Sequence, residues 1–330
     1  MVLPQNFSEA LILTMLSAVF WGSWANSFKG TRNYAFALFY WDYIFGVSAC
    51  SLAFALTFGS FGSDGEPFLA NVANADRSAL VSALIAGVIF NVANVLLVAA
   101  IDLCGLAVAF PIAIGIAVVE GVVLSYALQP KGDLLFLGTG VAMALVAVLF
   151  NARAYARLQA SKAGTATAAP RTGIVVSIIS GLLMGGFAPF VAKAMTSAHA
   201  LTPYSVAGLF SVGALFCCFL FNAWLMKHPI EGSPVAFAGY WKSGARNHLL
   251  GLAGGAAWGT GTCLNFVAAG FVGVPISYAI GQSAPLIAAA WGLFVWHEFD
   301  GAPRSARVAL AVMALSYVVA IALIAQAYRG

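Results

Sequence analysis

Charge is what this chain lacks most: 8% of its 330 residues are Asp, Glu, Lys or Arg, where a soluble domain has roughly a quarter. That shortage excludes a water-solvated surface, because a soluble chain of this length needs polar residues to cover its core or cores. Cysteine is sparse and unpatterned. Cys50, Cys104, Cys217, Cys218 and Cys263 have neither metal-ligand nor redox spacing and read as small buried apolar residues. The sequence has no His-Glu-x-x-His and no phosphate-cradling glycine loop, and its four histidines, His199, His228, His248 and His297, fall at the ends of apolar runs or between them. These absences argue against an intramembrane hydrolase and an ATP-driven pump, and no metal or cofactor is expected. The first apolar segment lacks a basic leader region and a small-residue cleavage site, and it carries Trp21 and Trp24 where a signal peptide would end, so a retained helix is expected.

What is present is apolar: 62% of residues are hydrophobic and the mean hydropathy is +0.94. The solvent of this chain is lipid. A helix needs about twenty apolar residues to cross the hydrocarbon, and runs of that length recur throughout. They lie at Ser8 to Phe28, Phe36 to Phe58, Leu80 to Ile101, Gly105 to Leu128, Leu134 to Asn151, Gly173 to Met195, Pro203 to Met226, Leu249 to Phe271, Pro275 to Trp296, and Arg307 to Tyr328. The runs are apolar all round, without the alternation of a barrel strand, so the expected fold is an all-α membrane protein of about ten spans.

Its connections are too short to hold a soluble catalytic domain. The middle one, residues 152–172, contains an Ala/Thr/Ser/Gly-rich stretch, Ala160 to Ala169, that reads as a cytoplasmic hinge between two halves, 1–151 and 173–330. The halves align weakly. An offset of 168 places Gly255 on Gly87, Thr262 on Asn94, Ala268 on Ala100 and Gly273 on Gly105; an offset of 164 places Gly186 on Gly22, Lys193 on Lys29 and Tyr204 on Tyr40. Five spans per half is an odd number, so a true repeat is inverted, an arrangement typical of secondary transporters.

Basic residues set the orientation. The net charge of +4 suggests no nucleic-acid face, because the basic residues sit in short connections. Odd-numbered loops hold Lys29, Arg32, Arg153, Arg157, Lys162, Arg171, Lys227, Lys242, Arg246, Arg304 and Arg307; the even loops and termini hold Arg77, Lys131, Lys193 and Arg329. Odd loops are therefore expected in the cytoplasm of an inner-membrane protein, with both termini in the periplasm.

Acids inside the hydrocarbon are expensive and mark function by default. Asp42 and Glu120 are the two well inside the spans. Asp42 lies about 9 Å into its helix, with Lys29 closing the neighbouring helix at the same end, so it is either half of an ion pair with Lys29 or a proton carrier. Glu120 faces a wet cavity or is protonated. Polar stripes mark two helices: Gly87, Asn91, Asn94 and Val98 on one, Trp258, Thr262, Asn265 and Ala269 on the other. Such amides bond helix to helix or, with Gln282 and Trp21, ring a central cavity for a polyhydroxylated or urea-like solute. The glycine series Gly251, Gly255, Gly259 and Gly181, Gly185 read as close helix packing; Pro111, Pro189 and Pro285 read as kinks.

Four short motifs, W-G-S-W-A-N from Trp21 to Asn26, Y-W-D-Y from Tyr40 to Tyr43, G-L-L-M-G-G-F-A-P-F from Gly181 to Phe190 and L-T-P-Y from Leu201 to Tyr204, resemble the glucose/ribose porter family. That family is close to the rhamnose-proton symporters and plant ureide permeases of the drug/metabolite transporter superfamily. The resemblance covers nearly the whole chain and implies two inverted five-helix repeats, proton-coupled uptake of a small polar solute such as a sugar or ureide, and a functional Asp42. It assigns nothing to Glu120. An exporter of metabolites or drugs would favour an aromatic cavity with few amides, and a scaffold or sensor would need neither intramembrane acids nor a repeat. Substrate, coupling ion and oligomeric state are not written in the sequence.

Overall fold

The computed structural model describes residues 1–163, 170–230 and 233–328, without the side chains of Leu106, Lys162 and Ala163. The residues 164–169 of the expected hinge and Arg329 lie outside the described residues.

Helix starts follow local chemistry. Asn6 caps α1 (Phe7–Ser23) by accepting the Glu9 N–H at 3.0 Å, while the Glu9 carboxylate reaches back to the Asn6 amide and the Gln5 N–H, each at 2.7 Å. This reciprocal cap satisfies amides that the first turn leaves bare. After α2 (Ala25–Lys29), which continues the first span, come α3 (Phe36–Leu56) and the short α4 (Phe68–Asn74). The first half closes with α5 (Arg77–Cys104), α6 (Leu106–Leu128) and α7 (Leu134–Ala163). Then follow α8 (Arg171–Ala194), α9 (Pro203–Lys227), the single turn α10 (Ala238–Trp241) and α11 (Ala245–Val272). The last span pair is α12 (Val274–Gly281) with α13 (Ala284–Phe294), and then α14 (Arg304–Ala327). No strand occurs among the described residues.

Eight of these spans are long and apolar enough to cross a membrane by length and composition. The protein is an all-α membrane protein. α11 falls short of that hydropathy because glycine, Asn and Thr interrupt it, and α1, α3 and α9 shield it. The ninth expected span is broken in two at Gln282 and Ser283, with Pro285 in the first turn of the second piece. Pro111 and Pro189 instead lie inside continuous helices. Helix α7 continues to Ala163, so the middle connection is shorter than the sequence suggested.

Contacts sort the connections into two ends. At one, Lys29 pairs with Glu298, and the Arg32 N–H bonds Asn247 Oδ1 at 3.0 Å. At the other, the N-terminal amine bonds the Asp64 carbonyl at 2.6 Å, the His199 N–H bonds Asp76 at 3.0 Å, and Lys131 Nζ bonds the Phe271 carbonyl at 3.3 Å. Odd loops share the first end and even loops the second.

Several contacts are made twice. Gly105 and Gly273 end α5 and α11 with φ of +78° and +93°, a left-handed backbone that favours glycine, and each N–H closes on the carbonyl four residues back, Ile101 and Ala269, at 2.8 Å. A Cβ on Gly255 would collide with the Tyr43 carbonyl and one on Gly87 with the Phe210 carbonyl. Reciprocally, a Cβ on Gly46 would strike the Leu252 carbonyl and one on Gly213 the Leu84 carbonyl. Helices α3 and α11 thus cross backbone to backbone as α9 and α5 do. The crossings fix the register of α9 on α3 at 167, Gly213 on Gly46, so Tyr204 does not occupy the place of Tyr40.

Candidate functional site

A cavity of about 680 Å³ opens between α1, α2, α5, α6, α7, α8, α11 and the broken α12–α13 pair. Its rim carries Lys29, Asp102, Tyr155, Gln159 and Glu298, all at the odd-loop end. Its floor is reached some eight residues deeper along the first span, roughly 12 Å. There Trp21 stacks on Trp258 at 5.9 Å between ring centroids, and Trp258 on Phe90 at 4.1 Å. Phe187 meets Phe90 edge-on at 6.0 Å, and Phe210 backs the group against Phe90 at 5.3 Å. This aromatic plug separates the cavity from the even-loop end.

Polar groups enter at few points. Asn94 and Gln282 line the deep part, the latter at the break between α12 and α13 where the backbone has left the helical ladder. Trp21 lines it too, with its indole N–H given to Thr262 Oγ1 at 3.1 Å. Asn26 stands near the mouth, where its Oδ1 accepts the Trp296 indole N–H at 2.5 Å. Lys29 ion-pairs with Glu298 and lies 5.3 Å from the centre of the Trp296 ring, and the Tyr155 hydroxyl donates to Glu298 at 3.4 Å. These contacts tie α2 to the 295–303 connection across the rim.

The sequence-predicted residues divide. Trp21, Asn94, Trp258 and Gln282 share the cavity; Asn91 and Asn265 do not line it. Asn91 is fully buried and accepts the Tyr40 hydroxyl at 3.1 Å. It lies about 60° around the helix from Asn94, turned toward α3; the lining face of α5 runs through Phe90, Asn94, Leu97, Val98, Ile101 and Asp102. Asn265 shares the stripe of Trp258 but lies roughly 10 Å farther along the axis, below the floor. There it donates to Ser17 Oγ and the Ser277 carbonyl, both at 3.0 Å, and joins α11 to α1 and α12.

Asp42 also has a different neighbourhood from the one expected. Its partner is not Lys29, which Glu298 takes. The side chain is 3% exposed and receives the Tyr34 hydroxyl at 2.7 Å and the Tyr240 hydroxyl at 2.6 Å, and His248 Nδ1 lies 3.0 Å from its Oδ2. Gly251 makes the approach possible, since a Cβ there would strike that of Asp42. Burial, and secondarily the Asp42 carboxylate, push the phenols of Tyr34 and Tyr240 well above their ordinary range, so both remain donors. The cluster is outside the cavity lining, behind a wall in which Phe28 meets Phe39 at 4.9 Å and Trp24 meets Tyr43 at 4.8 Å.

Glu120 lies between α6 and α8 against Gly185 and Gly186, also outside the lining. Its Oε2 is buried and has no hydrogen-bond partner among the described residues.

Sequence reasoning missed Trp24, Asn26, Phe90, Asp102, Phe187 and Glu298 in the cavity, and Tyr34, Tyr240 and His248 around Asp42. The spacing of Phe90, Asn94, Leu97 and Ile101 was readable as a helical face, but nothing distinguished it from the adjacent face that α9 covers.

No family model matches the chain. Over 98% of its length it is 23% identical to ureide permease 1 of Arabidopsis thaliana, of which it covers 98%. A solved crystal structure with 17% identity matches it at a TM-score of 0.63, covering 94% of this chain and 97% of the other, so the fold is one already observed. The chain is a multi-pass membrane protein similar from end to end to a plant permease.

Proposed function

We propose that this protein is a secondary transporter that takes up a small polar solute, a sugar or a ureide, with protons. The observation that carries this reading is the cavity: about 680 Å³, open at the odd-loop end and shut at the other by Trp21, Trp258, Phe90 and Phe187. A pocket of that size suits a single small ring. Aromatic faces cover the apolar faces of such a ring, and Asn94, Gln282 and Asn26 supply the directional donors and acceptors its edge needs. Closure on one side with access on the other is one of the two states that alternating access requires. The full-length likeness to a ureide permease supports the transport reading and adds ureides to the solutes worth testing first.

In the same reading the chain is two inverted five-span halves, 1–151 and 173–330. The doubled crossings of Gly46 with Gly255 and of Gly213 with Gly87 support it, as do the paired turns at Gly105 and Gly273. Positive loop charge favours an inner-membrane orientation with the open end in the cytoplasm and both termini in the periplasm. Asp42 is the proposed proton group.

The test is a thermal-shift screen of the purified protein against sugars, ureides, nucleobases and amines. Ligand at one hundred times its Kd stabilises the native state by about 2.7 kcal/mol. The expected result is a rise with a sugar or a ureide, followed by uptake of that solute into proteoliposomes driven by an inward proton gradient. A rise with hydrophobic amines alone, or uptake indifferent to the gradient, overturns the reading.

A further inference from the structure

The geometry points to His248 as the group that exchanges protons with Asp42, at a site walled off from the solute cavity, so that proton and solute communicate through α11. This rests on the transport reading above and names the proton site within it.

The argument begins with exposure. Asp42 is 3% exposed and cannot meet water directly, while the His248 ring is 25% exposed at the odd-loop end and touches both carboxylate oxygens, at 3.0 and 3.2 Å. The ring is the route between the acid and the solvent. Tyr34 of the 30–35 connection and Tyr240 of α10 fill the other carboxylate positions as donors. From α9, packed on α3, come Asn222, which bonds the Ala37 carbonyl, and Met226, which receives the Trp41 indole N–H. Lys242 and Arg246, near His248 in sequence, are exposed. Imidazole is the one side chain whose ordinary titration lies between about pH 5 and pH 8.

A proton on the Asp42 carboxyl passes to His248 Nδ1, the O–H bond breaking as the N–H bond forms. The ring then gives its Nε2 proton to water at the odd-loop end. The carboxylate left behind holds three donors, two phenols and the new Nδ1–H, which stabilises this arrangement of α3 against α11.

Coupling follows from what α11 carries. His248 and Trp258 stand on one uninterrupted helix, ten residues or roughly 15 Å apart. Trp258 forms the cavity floor, so solute pressing on it and a proton leaving His248 act on the same rod.

The experiment uses reconstituted protein with radiolabelled ribose and allantoin as probes. The quantity read is accumulation under an acid-outside gradient divided by exchange at equal pH. His248→Gln keeps a donor for Asp42 and hence the fold; it is expected to lower the ratio at least tenfold, as is Asp42→Asn, with Tyr240→Phe lowering it about threefold. His228→Gln, at the exposed end of α9, leaves the ratio as in the wild type. A His248→Gln ratio equal to the wild type overturns the inference while the transport reading stands. A second readout needs no solute: a single cysteine at Gln159 on the rim is labelled from the odd-loop side between about pH 5 and pH 8. The labelling rate is expected to change with pH in the wild-type background and to lose that dependence in His248→Gln. Equal pH dependence in both overturns the inference even if neither probe is a substrate. Absence of exchange with both probes, with the labelling difference intact, overturns the assignment of those solutes alone.

Discussion

The crossing of α3 with α11 and the crossing of α9 with α5 are the same object built twice, yet only one carries charge. In the first, Asp42, His248 and Gly251 meet near the odd-loop end. At the matching positions of the second stand Leu209, Leu80 and Ala83, packed into the hydrophobic core. Backbone contact through glycine is therefore what the architecture requires of both crossings, and the polar cluster is an addition to one. Its presence at one membrane face gives the two halves different work, although their helices pack alike.

The largest expected effect breaks both crossings. Gly87→Ala and Gly255→Ala each place a methyl against a carbonyl of the partner helix and are expected to destabilise by about 3 kcal/mol or more. Gly138→Ala, where nothing lies within 4 Å of the added Cβ, is expected to be neutral or stabilising by about 0.5–1 kcal/mol. Thermal midpoints in detergent measure the difference, and equal losses at all three positions would show that the crossings do not bear on stability.

Exchanging the charge between crossings comes next. Leu209→Asp puts a carboxyl where no phenol or imidazole waits for it and is expected to cost about 3 kcal/mol. Asp42→Leu strips the acceptor from Tyr34 and Tyr240 and is expected to cost about 1–3 kcal/mol. Chemical denaturation of the two variants ranks them; the reverse order breaks the contrast drawn above.

A third pair separates cavity from interface. Asn94→Leu is expected to weaken solute binding about tenfold, or ~1.4 kcal/mol, with little change in thermal midpoint. Asn265→Leu loses two interhelical bonds and is expected to lower stability by about 1–3 kcal/mol. Calorimetric titration and melting curves read the two axes independently.

The smallest effect lies at the even-loop end, at Asp76. The backbone N–H of His199, and then its side chain, hold this carboxyl below the usual carboxylate range. A folded-state value below the unfolded one contributes stability above the unfolded pKa, and that contribution is lost as pH falls through the folded pKa. Asp76→Asn is therefore expected to lower the midpoint slightly at neutral pH and to match the wild type once the solution is more acid than that range.

Much of this fold was legible because lipid imposes one rule along the whole chain: a span must be long, apolar and helical. The glycine turn at Gly105 was found through its twin at Gly273, since an unusual backbone leaves the same residue in both places. The site was less legible. His248 lies 206 residues from Asp42, and Glu298 lies 269 residues from Lys29; no local pattern announces such partners. The single turn α10, which delivers Tyr240, is too short to have a periodicity. Asn91 and Asn94 share a stripe in sequence and separate in space because the boundary between cavity and packed interface runs between them.

The glycine crossings also settle which movements are cheap. Where two backbones touch without side chains between them, a slide of one residue, 1.5 Å along the axis, drives a Cβ into a carbonyl. Rotation about the point of contact meets no such obstacle. Helices joined this way have one soft degree of freedom, a rocking about a fixed pivot. The two pivots, Gly255 against Tyr43 and Gly87 against Phe210, therefore define an axle through the molecule about which one bundle can tilt against the other without unlacing either.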